Sequence, residues 1–443
     1  MILSAILALP FLHLPIADVS ETKLFKILKG KVSPNSIAVS TDLLHYSYST
    51  TDNKVNIDGK VFGPYLSNGL VIFSGNNADY AFLASQKAGA PSSLIFNGSE
   101  RKTEYPVSNL FRAGETGGLC WVERNQELTR LVYPGGTTAW FEKIEKLNFS
   151  DDGSLFALRI SEKAKVLPGQ FVDKSAPTSQ DFIVQQDGSK IPRENILQVF
   201  PAPNSQGYAT LTTDNWVNFR TKRTSVTGEF YGKPLFSPDG KQFAYRNSFT
   251  RPTPDGKNVA FYQYTIGGYP YPDLQVQTGL TFAPDGKKWV MCGYNGKTYY
   301  LYVSSMGMVP YSDFPNLNGA PPEAYKEARF VNGNIVLLFQ PKRANPTLFI
   351  EEKGLFDLGL LVSAPETMSI SPDGRFMLIG CSDRTESRAF VVNLENPGPA
   401  VELLKPGYDL QNLGKRTFIW KSAHEVQFLI LRNQELARVT AKL

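Results

Sequence analysis

The chain of 443 residues is 42% hydrophobic and only 20% charged, with 36 glycines, 30 prolines, 20 tyrosines and 29 phenylalanines. That balance excludes a disordered protein, which would be rich in charge and poor in aromatics. The formal net charge of +5 is spread thinly. No basic stripe of the kind a dedicated nucleic-acid binder carries is present, so no nucleic-acid partner is expected.

Residues 1–17 form an apolar run ending at Ala17, just before Asp18. The run has the length of the apolar core of a secretory signal. It is too short, and too broken by Pro10 and Pro15, to span a bilayer. A signal peptide over 1–17 and a mature chain over 18–443 are therefore expected, placing the protein in the periplasm or outside the cell. No lysine or arginine precedes Lys23, and Pro15 stands where a small residue is usual before a cleavage site. An apolar segment packed on a cytoplasmic domain is thus the alternative reading. No later stretch is long and apolar enough for a membrane helix, so no membrane span is expected.

Beyond Asp18, residues 23–28 alternate like a strand. A phrase then begins to recur: an apolar residue, a Ser/Ala-x-Asp-Gly turn, one or two polar residues, and an apolar run. A degraded copy, Val39-Ser40-Thr41-Asp42, precedes Leu44-His45-Tyr46. Clear copies are Phe149-Ser150-Asp151-Asp152-Gly153, Phe236-Ser237-Pro238-Asp239-Gly240, Phe282-Ala283-Pro284-Asp285-Gly286 and Ile370-Ser371-Pro372-Asp373-Gly374. Proline presets φ at the first central turn position, Asp bonds its own local backbone, and Gly takes the conformation that closes the turn. Each copy therefore reads as a tight hairpin between two paired strands.

A second hairpin follows each copy, marked by Gly59, Gly98, Gly136, Gly188, Gly228, Gly268, Gly307 and Gly354. Successive markers lie about 40 residues apart, and less regular units follow around residues 393–398 and at Asn433. Two hairpins in a unit of that length make one four-stranded blade. The expected fold is all-β: a β-propeller of four-stranded antiparallel blades, about ten units in all. Residues 322–328 are read as a short helix. The last unit stops one strand short, and residues 23–28 are expected to supply its missing strand, removing an exposed edge.

The stretch from Phe236 to Tyr245, Phe-Ser-Pro-Asp-Gly-Lys-Gln-Phe-Ala-Tyr, strongly resembles the TolB-like (WD-repeat-like) propeller repeat. The same repeat occurs in the propellers of prolyl-oligopeptidase-type and tricorn-type proteases. Asp58-Gly59-Lys60 resembles the version common in exported bacterial repeat proteins of uncharacterised function. The resemblance covers nearly the whole chain after residue 20. It implies a fold, and because the matching residues are turn and core residues it implies no catalytic residue.

Chemistry-bearing motifs are scarce. The Gly-x-Ser-x-Gly elbow of a propeller-bearing peptidase is missing, as are the P-loop, the dinucleotide fingerprint and His-Glu-x-x-His. His45 lies on an alternating run and His424 in a turn, neither suggesting a general base. The stretch 53–59 imitates a calcium loop but starts its ligand positions at Lys54 and places Tyr65 where the final Glu belongs. Cys120, Cys292 and Cys381 sit in apolar runs and read as buried small hydrophobes, with no disulfide framework or zinc site. No catalytic residue, metal or cofactor is assigned.

Two surface features stand out. Tyr269 and Tyr271 lie on a Gly- and Pro-rich connector and are the candidate partner-binding residues, set against a plain packing role for that connector. Arg220-Thr221-Lys222-Arg223 reads as one strand with a solvated basic face. The expected function is a monomeric, non-enzymatic binding or scaffold protein of the cell envelope or periplasm, presenting its loops and rim to a protein or envelope ligand. The alternative is a propeller hydrolase or lyase acting on glycan or peptide through channel-facing carboxylates.

Overall fold

The computed structural model describes residues 18–26, 31–32, 34–163, 179–192, 196–252, 256–277, 279–295, 298–304, 307–310, 322–341, 345–359, 365–382, 387–403, 409–410, 418–432 and 435–443. Residues 1–17, Asn433 and the end of the 23–28 run lie outside them. The described residues form ten antiparallel sheets. No α-helix occurs among them, only a one-turn 3-10 segment at Pro34–Ser36. The described residues make a β-propeller fold of ten blades, mostly four-stranded, as the repeat predicts.

Blades 1 to 8 run over residues 38–62, 67–101, 107–137, 143–192, 198–225, 229–270, 276–310 and 322–357, all within the compact unit Leu28–Asp357. Blades 9 (365–402) and 10 (409–442) belong to a second unit, Met1–Ile27 with Leu358–Leu443. In blades 2, 7 and 10 the first strand is split into two short pieces that pair with the same neighbour. The strand Asp18–Lys26 pairs antiparallel with Glu435–Lys442 and completes blade 10, with Phe25 opposite Leu436. The missing strand comes from this N-terminal segment, but it begins at Asp18, five residues before the expected start, and residues 27–28 lie outside the described residues.

The repeat phrase builds one turn chemistry over and over. In blade 6 the Ser237 hydroxyl donates to Asp239 at 2.6 Å and accepts the N–H of Gln242 at 2.9 Å. The Asp239 carboxylate also accepts the N–H of Lys241 at 3.1 Å. Gly240 then closes the turn at φ 66°, a conformation that costs a residue with a side chain. Blade 1 keeps the bonds with Ser40 and Asp42, and Leu43 takes the left-handed position at φ 59°. Blade 2 has a further copy, Ser74-Gly75-Asn76-Asn77, in which Asn76 replaces the aspartate.

Behind each turn the strands bury both faces. In the strand Phe243–Pro252, Phe243 and Tyr245 pack with Leu211, Val217 and Phe219 of blade 5, whereas Ala244 packs with Trp289 and Met291 of blade 7. Successive side chains of a strand point to opposite faces, so one Phe-Ala-Tyr run serves two neighbours. Burial of a ring such as Phe243 contributes about 1.5–3 kcal/mol. The three cysteines are buried in these layers as free thiols, and burial pushes the Cys120 thiol up to about 12.

Two expectations are corrected. Residues 322–328 belong to the strand Pro322–Val331, not to a helix. Register shifts at Pro322/Ala324 and Tyr325/Glu327 break the period-two pattern that would have marked a strand. Gly228 is not a hairpin marker either: blade 5 makes its last hairpin at Arg220-Thr221, with Arg220 at φ 55°. Gly228 instead enters blade 6 where a side chain would meet the Ser248 carbonyl at 2.4 Å.

Candidate functional site

Two hairpins from neighbouring blades define the candidate site. In blade 5, Trp216–Phe219 returns as Lys222–Ser225 through Arg220-Thr221. In blade 6, Asn258–Ile266 returns as Tyr269–Pro270 through Gly267-Gly268, both glycines at positive φ as a tight two-residue hairpin requires. The hairpins approach closely, and a side chain at Gly268 would meet Thr224 Oγ1 at 3.2 Å and Lys222 Cδ at 3.3 Å. Glycine there lets the backbone and the lysine stem share one space.

Between these hairpins lies a cleft of about 490 Å³, floored by Tyr245, Tyr271 and Trp289 and rimmed by Arg220, Lys222, Lys241 and Tyr269. Lys222 Nζ donates to the Gly267 carbonyl and sits 5.1 Å from the centroid of the Tyr269 ring. Tyr269 is 69% exposed. Tyr271 is half-buried, its ring edge-to-face with Trp289 at 4.8 Å. Of the two expected contact residues, Tyr269 is therefore the presented one, and Tyr271 shapes the floor. Burial raises the phenols of Tyr245 and Tyr271 above their ordinary value, so both stay neutral.

The charges in the wall share one sign. Arg220, Lys222 and Lys241 line the cleft and no carboxylate does. Arg220 donates to Gln206 Oε1 at 2.7 Å, and Lys241 lies 3.4 Å from Asp239, just outside the wall. A serine hydroxyl from Ser237 and the N–H and ammonium of Lys241 hold Asp239 below the usual carboxylate range, against its partial burial. The basic stretch Arg220-Thr221-Lys222-Arg223 is not one strand, because its first two residues form the turn. Arg223 leaves the cleft and lies over Trp216 at 4.5 Å, near Asp214. Arg220 and Lys222 turn the other way, into the cleft. The site thus offers an aromatic floor for an apolar or ring-shaped group and a cationic rim for a negative one. No acid, histidine or thiol among its walls supplies proton transfer or nucleophilic attack.

The remaining chemical candidates resolve into structural roles. His45 pairs with Asp58 at 2.8 Å, and the ring of His424 packs edge-on against Phe376. The 53–59 stretch is a strand and hairpin, and no group of three metal-ligating side chains occurs among the described residues. Among those residues every carboxyl with a displaced pKa is displaced downwards. Asp52, Asp152, Asp187, Asp214, Asp239 and Asp373 are held low by turn hydrogen bonds, and Glu104 by Arg130. Glu123, the buried acid, is tied to Arg130 at 2.7 Å and to the Trp121 ring N–H at 3.3 Å.

No protein-family model matches the chain, and no curated protein matches it. Similar solved structures include a eukaryotic initiation factor, 10% identical with a TM-score of 0.43, over 87% of this chain and 91% of that one. The Dos1 propeller is 10% identical with a TM-score of 0.35, over 96% and 95%. TolB from Acinetobacter baumannii is 12% identical with a TM-score of 0.27, over 64% and 79%. None of these likenesses singles out TolB or shows a family.

Proposed function

We propose that this chain is a TolB-like, exported propeller of the cell envelope that binds and presents a ligand and does not turn one over. The observation that carries the reading is the cleft between blades 5 and 6, where Tyr269 and the Lys222 ammonium meet over an aromatic floor. Such a wall suits a protein segment or envelope molecule that carries negative charge beside an apolar or ring face. Tyrosine adds contact area at low entropic cost, and rigid hairpins place it without ordering a loop. The hydrolase alternative needs a carboxylic acid raised towards neutrality, and the displaced carboxyls described above all move the other way.

The test is a photo-crosslinker placed at position 269 in the protein expressed in its own cells, followed by fractionation. The expected result is one discrete adduct in the envelope fraction that disappears when Lys222→Glu and Arg220→Glu are added. N-terminal sequencing of that adduct should begin at or near Asp18. An adduct indifferent to the charge reversals, or turnover of a glycan or peptide by the purified protein, would overturn the reading.

A further inference from the structure

A second cluster lies among the first two strands of blade 4 and the first strand of blade 5, and it is independent of the cleft. In blade 4, Lys146 on Lys143–Phe149 stands directly opposite Arg159 on Phe156–Lys163. Like charges facing each other across an antiparallel pair are destabilising, so such a pair persists for a reason other than the stability of the sheet. Blade 6 supplies an internal comparison. Its Arg246 follows Phe243 by the same three residues that separate Arg159 from Phe156, and each phenylalanine opens the strand after its turn. Opposite Arg246 stands Tyr231, whose ring centroid is 4.2 Å from the guanidinium, a favourable contact. Blade 4 puts a lysine in that place.

Lys146 and Arg159 both line a cavity of about 190 Å³, together with Asn148 and Gln198. One guanidinium end of Arg159 is committed to Asp181 at 3.1 Å. Its Nε is buried and has no hydrogen-bond partner among the described residues. Lys146 is exposed and forms no ion pair with any described residue. A buried donor on a charged group and an unpaired ammonium on the same face lack an acceptor with negative charge. Lys146, Asn148 and Gln198 also line the adjoining cavity of about 280 Å³. There Lys233, carried on a two-residue bulge at Gly232, pairs with Asp151. A bulge of this kind re-aims a side chain, and here it brings a third cation to the same trough.

We propose that this trough binds a small molecule through an oxyanion, a carboxylate or a phosphate, received by Arg159 Nε–H and the Lys146 ammonium. The anion relieves the like-charge opposition and satisfies the orphaned donor at once. Asn148 and Gln198 contact the remainder of the molecule.

The experiment measures thermal unfolding of the full chain in chloride, inorganic phosphate and malonate buffers at matched ionic strength. Wild type should show a saturable rise in Tm with phosphate or malonate, following mass action. The stronger response identifies which oxyanion the site prefers. Lys146→Met should unfold in chloride no earlier than wild type, because it removes a repulsion, yet lose affinity for the anion by at least about tenfold. Lys222→Met, in the cleft, should keep the full response. Absence of a saturable rise with either anion would overturn the proposal. So would a Lys146→Met response equal to wild type, or a response lost with Lys222→Met and kept with Lys146→Met.

Discussion

The backbone N–H of Asn204, in the first turn of blade 5, donates to the Asp152 carboxylate in the first turn of blade 4 at 2.6 Å. The Asn204 side-chain amide continues to the Pro238 carbonyl of blade 6 at 2.7 Å. The same linkage runs on in both directions. Thr41 reaches Asn77, Gly75 reaches Gly117, Glu115 reaches the Asp151 carbonyl, and Gln242 reaches the Gly286 carbonyl. The first turns of blades 1 to 7 are therefore joined one to the next. The aspartate of the repeat closes its own turn, and Asp152 also anchors the neighbouring one.

Asn204 allows the side-chain link to be separated from the backbone. It sits at φ 55°, where glycine is at ease and alanine is not. Asn204→Gly should keep the N–H bond to Asp152 and lose only the bond to Pro238, costing about 0.5–1.5 kcal/mol. Asn204→Ala should cost more, by the strain of a left-handed alanine. Denaturant midpoints of the two variants decide it, and equal midpoints would refute the assignment.

Acid should loosen the same chain of turns. Burial alone would raise the pKa of Asp152, but hydrogen bonds from Ser150, Asn204 and Ser154 outweigh it and hold the group below its ordinary 3.8. A folded-state pKa below the unfolded one stabilises at pH well above 3.8 and loses that contribution as pH falls through the folded value. Asp239 and Asp373 share the direction. Tm followed from pH about 6 down to about 3 should therefore fall, and Asp152→Asn should flatten the fall while lowering the plateau. A variant with an unchanged slope would show that Asp152 is not the titrating group.

Asn247 carries the opposite kind of defect. It is 1% exposed in blade 6, and neither atom of its amide finds a partner among the described residues. An unpaired buried amide costs about 1–3 kcal/mol, and an apolar side chain of the same size removes that cost. Asn247→Leu should raise the denaturant midpoint without changing the slope of the transition. A lower midpoint would mean the amide is satisfied in solution.

Much of this architecture was legible because its signals are local. Ser237 bonds to Asp239, Gly240 and Gln242 within six residues, so their turn could be read from the string itself. The Ser74 turn is not legible in the sequence because Asn76 and Asn77 do the work of Asp and Gly with different letters. Residues 322–328 misled because bulges scramble strand alternation. The cleft was visible only as two unrelated fragments. Tyr269 and Lys222 are joined by the packing of one blade on the next, which depends on Gly268 having no side chain. Lys146 and Arg159 were hidden for the same reason, since their opposition depends on the register of a bulged pair.

Completion of blade 10 by the strand Asp18–Lys26 is a long-range closure, and it should behave as a cooperative piece of its own unit. Thr22 pairs with Arg438 in the middle of that strand, and Lys23 adds an ion pair to Glu435 at 2.9 Å. Proline at position 22 removes a backbone donor and fixes φ where the ladder needs neither change. Thr22→Pro should therefore speed amide exchange in Asp18–Lys26 and along Glu435–Lys442, the edge it leaves uncovered. An uncovered edge is also a template for another chain, so the variant should associate at concentrations where wild type does not. Blades 3 to 6, within Leu28–Asp357, should keep their exchange rates, because their strands pair and pack with one another. Exchange that rises equally throughout the chain would instead show that the strand Asp18–Lys26 supports the whole molecule.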